Sequence, residues 1–260
     1  MVAALRAAGC VFAEDEAAML IGTARDEDEL AAMVRERATG VPIEHVVGWA
    51  DFCGVRVAVD PGVFVPRVRT QVLAEQAAAA TRPGATVVDL CCGSGAIGLV
   101  VAMRVSDVRL YASDVEPAAV TCARRNLAPL KDATVVQGDL FEALPRDLLG
   151  TVDVLLSNVP YVPSPAIEYL PAEAREYEPR TALDGGADGL DVLRRVAAEA
   201  PRWLAPHGRL FVESSLDQAE IALAIMASVG LRPELFVDDE VEVAVVTGHR
   251  PPSTAAVDPA

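Results

Sequence analysis

The stretch from Val87 to Val100 reads VVDLCCGSGAIGLV, an apolar, strand-like run that leads directly into a glycine-rich loop. Gly93, Gly95 and Gly98 have the G-x-G-x-x-G spacing that lets a backbone approach the pyrophosphate of a dinucleotide. Asp89, four residues ahead of the first glycine, fits such a ligand poorly, because a carboxylate beside a pyrophosphate is repelled. The same carboxylate suits the ammonium of a methionyl group. Two more aspartates close later apolar runs. Asp114 lies 21 residues past Gly93, placed to accept from ribose hydroxyls, and Asp139 is placed to accept from an adenine amino group. Any one of them alone reads equally well as a turn residue or helix cap. Together they suit a nucleoside cofactor that is cationic at sulfur and carries no phosphate, S-adenosyl-L-methionine. The cofactor-binding set expected from the sequence is Asp89, Gly93, Gly95, Asp114 and Asp139, with Asn158 from the loop after the fourth run.

Such loops need a sheet that brings them to one edge. Strand-like runs at 86–90, 109–113, 133–136, 152–157 and 209–213 alternate with helix-like segments at about 96–104, 116–127, 140–148, 188–204 and 217–229. Apolar strands alternating with helices call for a parallel sheet covered on both faces, with ligands outside the carboxyl ends of the strands. The end of the chain departs from this pattern. LRPELFVDD and EVEVAVVTG are separated only by an acidic turn, so the sheet finishes in an antiparallel hairpin. Ahead of the sheet, residues 2–38 read as two or three short helices. Residues 41–65 read as a β-hairpin with its turn signal at Asp60-Pro61-Gly62, and a helix runs from Thr70 to the stop at Pro83-Gly84. Trp49 and Phe52 are expected to pack the hairpin against the domain. Gly185, Gly186 and Gly189 read as a flexible acidic loop facing the cofactor cleft. The tail, 251–260, reads as disordered.

At 260 residues and 52% hydrophobic content, the chain is long enough for one large core with a small appendage. Its net charge of −16 argues against a broad phosphate-tracking surface, so no nucleic-acid partner is expected. Five cysteines, an odd number with no C-x-x-C pair, read as reduced thiols of a cytoplasmic protein. No window approaches the ~20 apolar residues of a membrane span, so no membrane partner is expected. His45, His207 and His249 fall in no ligand-spaced motif, and no metal is expected.

Asn158-Val159-Pro160-Tyr161 resembles the Asn-Pro-Pro-Tyr loop of amino-methyltransferases, which act on planar nitrogens. A planar NH2 is a poor nucleophile because its lone pair is delocalised. The Asn158 side-chain oxygen and the Val159 carbonyl are placed to accept its two hydrogens and to steady the charge that develops on it. Pro160 would stiffen the loop and Tyr161 would pack on the flat group, which makes Asn158, Val159, Pro160 and Tyr161 the expected catalytic set. Two longer segments, GVPIEHVVGWADFCGVRVAVDPGVFVPR (40–67) and EYEPRTALDGGADGLDVLRRV (176–196), are similar to the HemK-type protein-(glutamine-N5) methyltransferases.

That resemblance implies a Rossmann-like class I methyltransferase fold, α/β, with a mostly parallel seven-stranded sheet and a C-terminal antiparallel hairpin. It divides the chain into a helical substrate-recognition region (1–40), a β-hairpin linker (41–68), the methyltransferase domain (69–250) and the tail. It implies S-adenosyl-L-methionine as cofactor and a protein substrate, a peptide chain release factor first among them. Three departures are evident: Val159 for the first proline of the motif, a short helical region, and Pro66-Arg67-Val68-Arg69-Thr70-Gln71 where the family has Pro-Arg-Pro-Glu-Thr-Glu. The alternatives are a small-molecule or nucleobase amino-methyltransferase and a non-catalytic S-adenosylmethionine-binding protein. An NAD-dependent dehydrogenase would leave Asp89 and the Asn158 loop unexplained.

Overall fold

The structure, a computed structural model, describes residues 1–252, so the expected disordered tail lies, from residue 253 on, outside the described residues. The chain opens with three helices, α1 (Val2–Ala7), α2 (Ala13–Thr23) and α3 (Glu27–Ala38). Asp26 caps α3 by accepting the Glu29 N–H at 2.8 Å. Their apolar faces close on a core of their own around Leu5, Ala17, Leu20 and Met33. Ile43 and Val47 complete that core from a one-turn helix, α4 (Ile43–Val47), which the sequence reading merged into the hairpin. Arg37, 5% exposed, grips Glu16 through two bonds of 2.7 and 2.9 Å, donates to the Val41 carbonyl at 3.1 Å and pairs with Glu173 at 2.7 Å. Glu173 belongs to the wall of the main cleft, so this one guanidinium ties the appendage to the domain.

The hairpin pairs β1 (Trp49–Phe52) with β2 (Val55–Ala58) in the register Phe52↔Val55. Its turn is Cys53-Gly54, both at positive φ (54° and 74°), the two-residue turn whose twist matches that of the strands. The expected turn at Asp60-Pro61-Gly62 exists as a separate bend after β2, closed by the Val63 N–H on the Asp60 carbonyl at 3.0 Å. Phe52 enters the main core as expected. Trp49 turns the other way, onto the N-terminal helices: its indole N–H reaches Thr23 Oγ1 at 3.3 Å and Arg56 lies 3.8 Å from its ring centroid.

The main sheet holds β3 (Thr86–Leu90), β4 (Arg109–Asp114), β5 (Ala133–Gln137), β6 (Val152–Ser157), β7 (Leu204–Ser214), β8 (Arg232–Asp238) and β9 (Val243–His249), in the order β5-β4-β3-β6-β7-β9-β8. The strands from β5 through to β7 run parallel, and β9 lies antiparallel between β7 and β8. This is the mostly parallel seven-stranded sheet with an antiparallel C-terminal element. All five residues of β3 are buried because helices cover both faces. On one face lie α5 (Thr70–Ala80), α6 (Ala96–Arg104) and α7 (Pro117–Leu127), whose Leu73, Val100 and Leu127 meet Val87, Leu110 and Leu156. On the other lie α9 (Asp191–Trp203) and α10 (Ala219–Ser228), whose Leu193 and Met226 meet Val88, Leu155 and Leu210. After β5 the chain returns to lay β6 beside β3, which opens a switch point between these two strands.

Three local expectations are corrected. Residues 140–148 form two short 3-10 turns, Leu140–Ala143 and Arg146–Leu148, in place of one helix. Pro145 forces Leu144 into an extended conformation (ψ 142°) and breaks the segment. Residues 164–182, left without structure by the sequence reading, contain the 3-10 turns Ser164–Tyr169 and Arg180–Ala182 with a short helix, α8 (Ala172–Tyr177), between them. The helix expected from 188 begins at Asp191, since the glycine loop before it is used for packing. Among the described residues, no helix is long and apolar enough to cross a membrane.

Removing one partner of the Arg37 pair strands Glu16 in the interior. Arg37→Met is expected to lower the unfolding free energy by about 3–5 kcal/mol in denaturant titration. Arg25→Ala, which breaks an exposed ion pair with Glu29, is expected to leave the midpoint unchanged.

Candidate active site

Parallel pairing of Leu90 with Ser157 sets the loops after β3 and β6 at the same height. Together with the loops after β4 and β5 they border a cavity of about 1090 Å³ at the carboxyl edge of the sheet. Gly93, at φ +55°, lines it, and nothing stands within 4 Å of the place a Cβ would occupy, so only glycine leaves this stretch of wall open. Its N–H donates to Asp114 Oδ2 at 2.8 Å, and Asp114 Oδ1 accepts the Glu116 N–H at 2.9 Å. The Asp114 carboxylate is thereby fixed on the rim, with burial pushing its pKa upward. Asp139 also lines the cavity, ion-paired with Arg195 at 2.7 Å. Cys91 stands beside them in the left-handed region (φ 55°), an uncommon conformation for a residue with a Cβ.

Two members of the expected cofactor set lie elsewhere. Gly95 does not line the cavity. A Cβ there would sit 3.3 Å from Ala123 and 3.4 Å from Leu127, so this glycine lets α6 start close against α7. Asp89 is 0% exposed and lies beneath the loop. One of its oxygens accepts the Gly98 N–H at 3.0 Å and the other has no protein partner among the described residues. Burial pushes its pKa up to about 7, with the neighbouring Asp114 adding to the rise against the Gly98 bond. Asp89 therefore supports the first turn of α6 from below. Asp89 does not itself line the cavity, whose wall on this loop begins at Cys91.

The second loop is held from three sides. The Asn158 side-chain NH2 donates to Thr70 Oγ1 at 3.4 Å, which fixes the amide by its donor end. Val159, 2% exposed, buries its side chain in the core that contains Leu90 and Leu190. The Tyr161 hydroxyl receives a bond from Arg69 and donates to Glu213 Oε1 at 3.2 Å, while its carbonyl accepts from Gln218 Nε2 at 3.0 Å. Against the outer side presses the glycine segment. A Cβ on Gly185 would come within 2.7 Å of the Pro160 carbonyl, and one on Gly189 would collide with the Tyr161 carbonyl. The loop expected to be flexible is thus a closely packed brace. Asn158, Val159, Pro160 and Tyr161 all line the cavity, as do Gly93, Asp114 and Asp139.

The residues present fit a phosphate-free, zwitterionic nucleoside. The four arginines of the cavity wall are each committed to a carboxylate: Arg67 to Glu178 at 2.5 Å, Arg69 to Glu213 at 3.3 Å, Arg180 to Asp184 at 3.0 Å and Arg195 to Asp139 at 2.7 Å. None of these cations is free to hold a pyrophosphate, whereas Asp114 and open Gly93 suit ribose hydroxyls and a close backbone. Val115, Ile97 and Leu140 supply apolar wall for a flat base.

The sequence reading missed Thr70, Glu213 and Gln218, and it took Arg69 only as a charge reversal. Their partners lie 88, 52, 57 and 92 residues away, so no local pattern announces them. The glycines of 185–189, two of which abut the loop, were the one signal in the sequence.

The raised pKa of Asp89 has a consequence for stability. An unfolded aspartate loses its proton near pH 4, the folded one near 7, so between these values the folded state carries the extra proton and stability falls as pH rises. In ligand-free protein, Asp89→Asn removes that slope. Denaturant titrations are expected to show the variant gaining on the wild type from pH 5 to pH 8.

Comparison with known proteins agrees with this geometry. Residues 54–173 match the family model described as methyltransferase small domain. The chain is 37% identical over 228 residues to the release factor glutamine methyltransferase of Geobacter sulfurreducens, covering 86% of this chain and 79% of that protein. It is 38% identical to the enzyme of the same name from Streptomyces coelicolor, covering 72% and 67%. It is also 38% identical to the 4-amino-L-phenylalanine/4-methylamino-L-phenylalanine methyltransferase of Streptomyces pristinaespiralis, covering 76% and 69%. In fold it is similar to a methyltransferase from Pyrococcus furiosus, with a TM-score of 0.58, 16% identity and coverage of 76% and 90%. The chain belongs to the release factor glutamine methyltransferase family, whose members depend on S-adenosyl-L-methionine.

Proposed function

We propose that the chain transfers a methyl group to the side-chain amide nitrogen of a glutamine in a protein, with peptide chain release factors as the first candidates. The observation that carries this reading is the braced Asn158–Tyr161 loop on the wall of the cleft. The names of the Geobacter and Streptomyces coelicolor relatives support the acceptor. S-adenosyl-L-methionine supplies an electrophilic methyl group on a sulfonium centre. Asp114 would accept from ribose hydroxyls, Asp139 from the adenine amino group, and the Gly93 backbone would lie along the nucleoside. The Asn158 oxygen and the Val159 carbonyl would take the two amide hydrogens, aim the nitrogen at the methyl group and steady its developing positive charge. The proton is then lost to solvent after transfer. Phe64, Val68 and Leu170 line the outer cavity and would exclude water around the acceptor's aliphatic stem. We assign residues 1–40 to docking of the protein substrate, 41–68 to the linker and 69–250 to catalysis, in the cytoplasm where release factors act.

A second reading, an amine on a small molecule, is favoured by the Streptomyces pristinaespiralis relative and by Arg69 in the cleft wall. One assay separates the two. Both class I release factors and 4-amino-L-phenylalanine are offered with labelled cofactor, and the products are mapped by mass. Label on the glutamine of a Gly-Gly-Gln segment is expected, and label on the free amine alone overturns the proposal. Asn158→Ala is expected to leave S-adenosylhomocysteine affinity within about threefold and to cut turnover about a hundredfold. Equal losses in both would mean a collapsed loop in place of a lost acceptor contact.

A further inference from the structure

We infer that Arg69 is a positioning residue: paired with Glu213, it clamps the Tyr161 ring and so sets the acceptor loop from the start of α5. The inference rests on the proposed function for its kinetic readout and on geometry alone for its spectroscopic one.

Glu213 sits near the end of β7, one residue past the Ser157↔Val212 pairing and opposite Val245 of β9. Its side chain is 1% exposed. A carboxylate so deeply desolvated needs a cation and hydrogen-bond donors. Two groups supply them, and both converge on the same oxygen: Arg69 Nε at 3.3 Å and the Tyr161 hydroxyl at 3.2 Å. Arg69 also donates through Nη2 to the Tyr161 hydroxyl, and its guanidinium carbon lies 5.7 Å from the ring centroid. Burial and Glu213 push the Tyr161 phenol up to about 12, so it stays a neutral donor at working pH. The three side chains form a closed triangle of hydrogen bonds around the Tyr161 hydroxyl and Glu213 Oε1.

Arg69 is itself held. It precedes the first residue of α5, and bonds of 3.0 Å from the Thr70 N–H to the Arg67 carbonyl and from the Gln71 N–H to the Val68 carbonyl fold the approach into a turn. Arg67, two residues earlier, is anchored on Glu178, whose other oxygen accepts the Val65 N–H at 3.0 Å. Consecutive residues of one helix start therefore reach both ends of the loop, Thr70 to Asn158 and Arg69 to Tyr161. Val159 imposes no proline-like restriction of its own, so these outer contacts add to the hold that Pro160, the buried Val159 side chain and the glycine segment give the loop.

The test separates clamping from mere charge balance. Arg69→Met leaves Glu213 buried and unpaired, and is expected to lower both the melting temperature and kcat. Adding Glu213→Gln removes the stranded charge and is expected to restore the melting temperature. In that double variant kcat on a Gly-Gly-Gln peptide is expected to stay about ten- to a hundredfold below wild type, with an unchanged S-adenosylhomocysteine Kd. Recovery of wild-type kcat would mean that Arg69 only balances charge, and would overturn the inference. The independent readout is fluorine NMR of 3-fluorotyrosine placed at position 161. A single narrow line is expected in wild type, and a broadened or split line in the double variant. An unchanged line overturns the clamp. If wild-type protein methylates no glutamine, the acceptor proposal fails and the fluorine line alone decides this one. If the double variant does not fold, Tyr161→Phe takes its place: the same fall in kcat is expected, and wild-type kcat sinks the inference.

Discussion

The parallel pairing of β3 with β6 is the constraint from which the site follows. These two strands are separated in sequence by β4 and β5 and the helices that precede them, yet the register Leu90↔Ser157 ends them level with each other. A glycine-rich loop on one and an asparagine loop on the other are then forced to face a common cavity. A register slip would exchange the faces of β6 and turn Leu156 and Ser157 to the wrong helices. Core packing and loop placement are the same fact seen from two sides.

Above that floor the two loops are stabilised by different means. The glycine loop is fixed by acids that receive its N–H groups, Asp114 from the rim and Asp89 from below. The asparagine loop is fixed by apolar burial at Val159, by backbone contact with the glycine segment and by charged side chains at Tyr161. Acidic side chains border the first loop, Asp114 at its rim and Asp89 beneath it with burial favouring the protonated form, while the second rests on an ion pair. Such a division suits a cleft that must admit a cationic sulfur on one side and an uncharged nitrogen on the other.

Much of this was legible in the sequence, within limits that have a physical cause. Strand–helix alternation, the acidic hairpin at the end and the glycine spacing are short-range patterns, and the sheet with its edge of loops follows from them. Asp114 and Asp139 line the cavity, where the sequence reading put them, because strand ends are readable. The burial of Asp89 beneath the loop, on the Gly98 N–H, was not legible, since a residue near a strand end can face the cavity or the covering helix and its type does not say which. The stretch 140–148 has helical composition, but Pro145 outweighs it. What could not be read is the partner of each side chain across long separations. Arg69 looked like a defect because its counter-charge, Glu213, is 144 residues away in sequence.

The place of β9 in the sheet bears on how the chain is made. The strand lies between β7 and β8, antiparallel to both, although it follows both in sequence. Until Val243–His249 emerges, β7 has one open flank and β8 has nowhere to attach, because among the described residues its one neighbour in the sheet is β9. Glu213 would meanwhile face the half-built flank with Val245 still missing from its side. A chain cut short before residue 243 would therefore leave an unpaired edge exposed to other molecules.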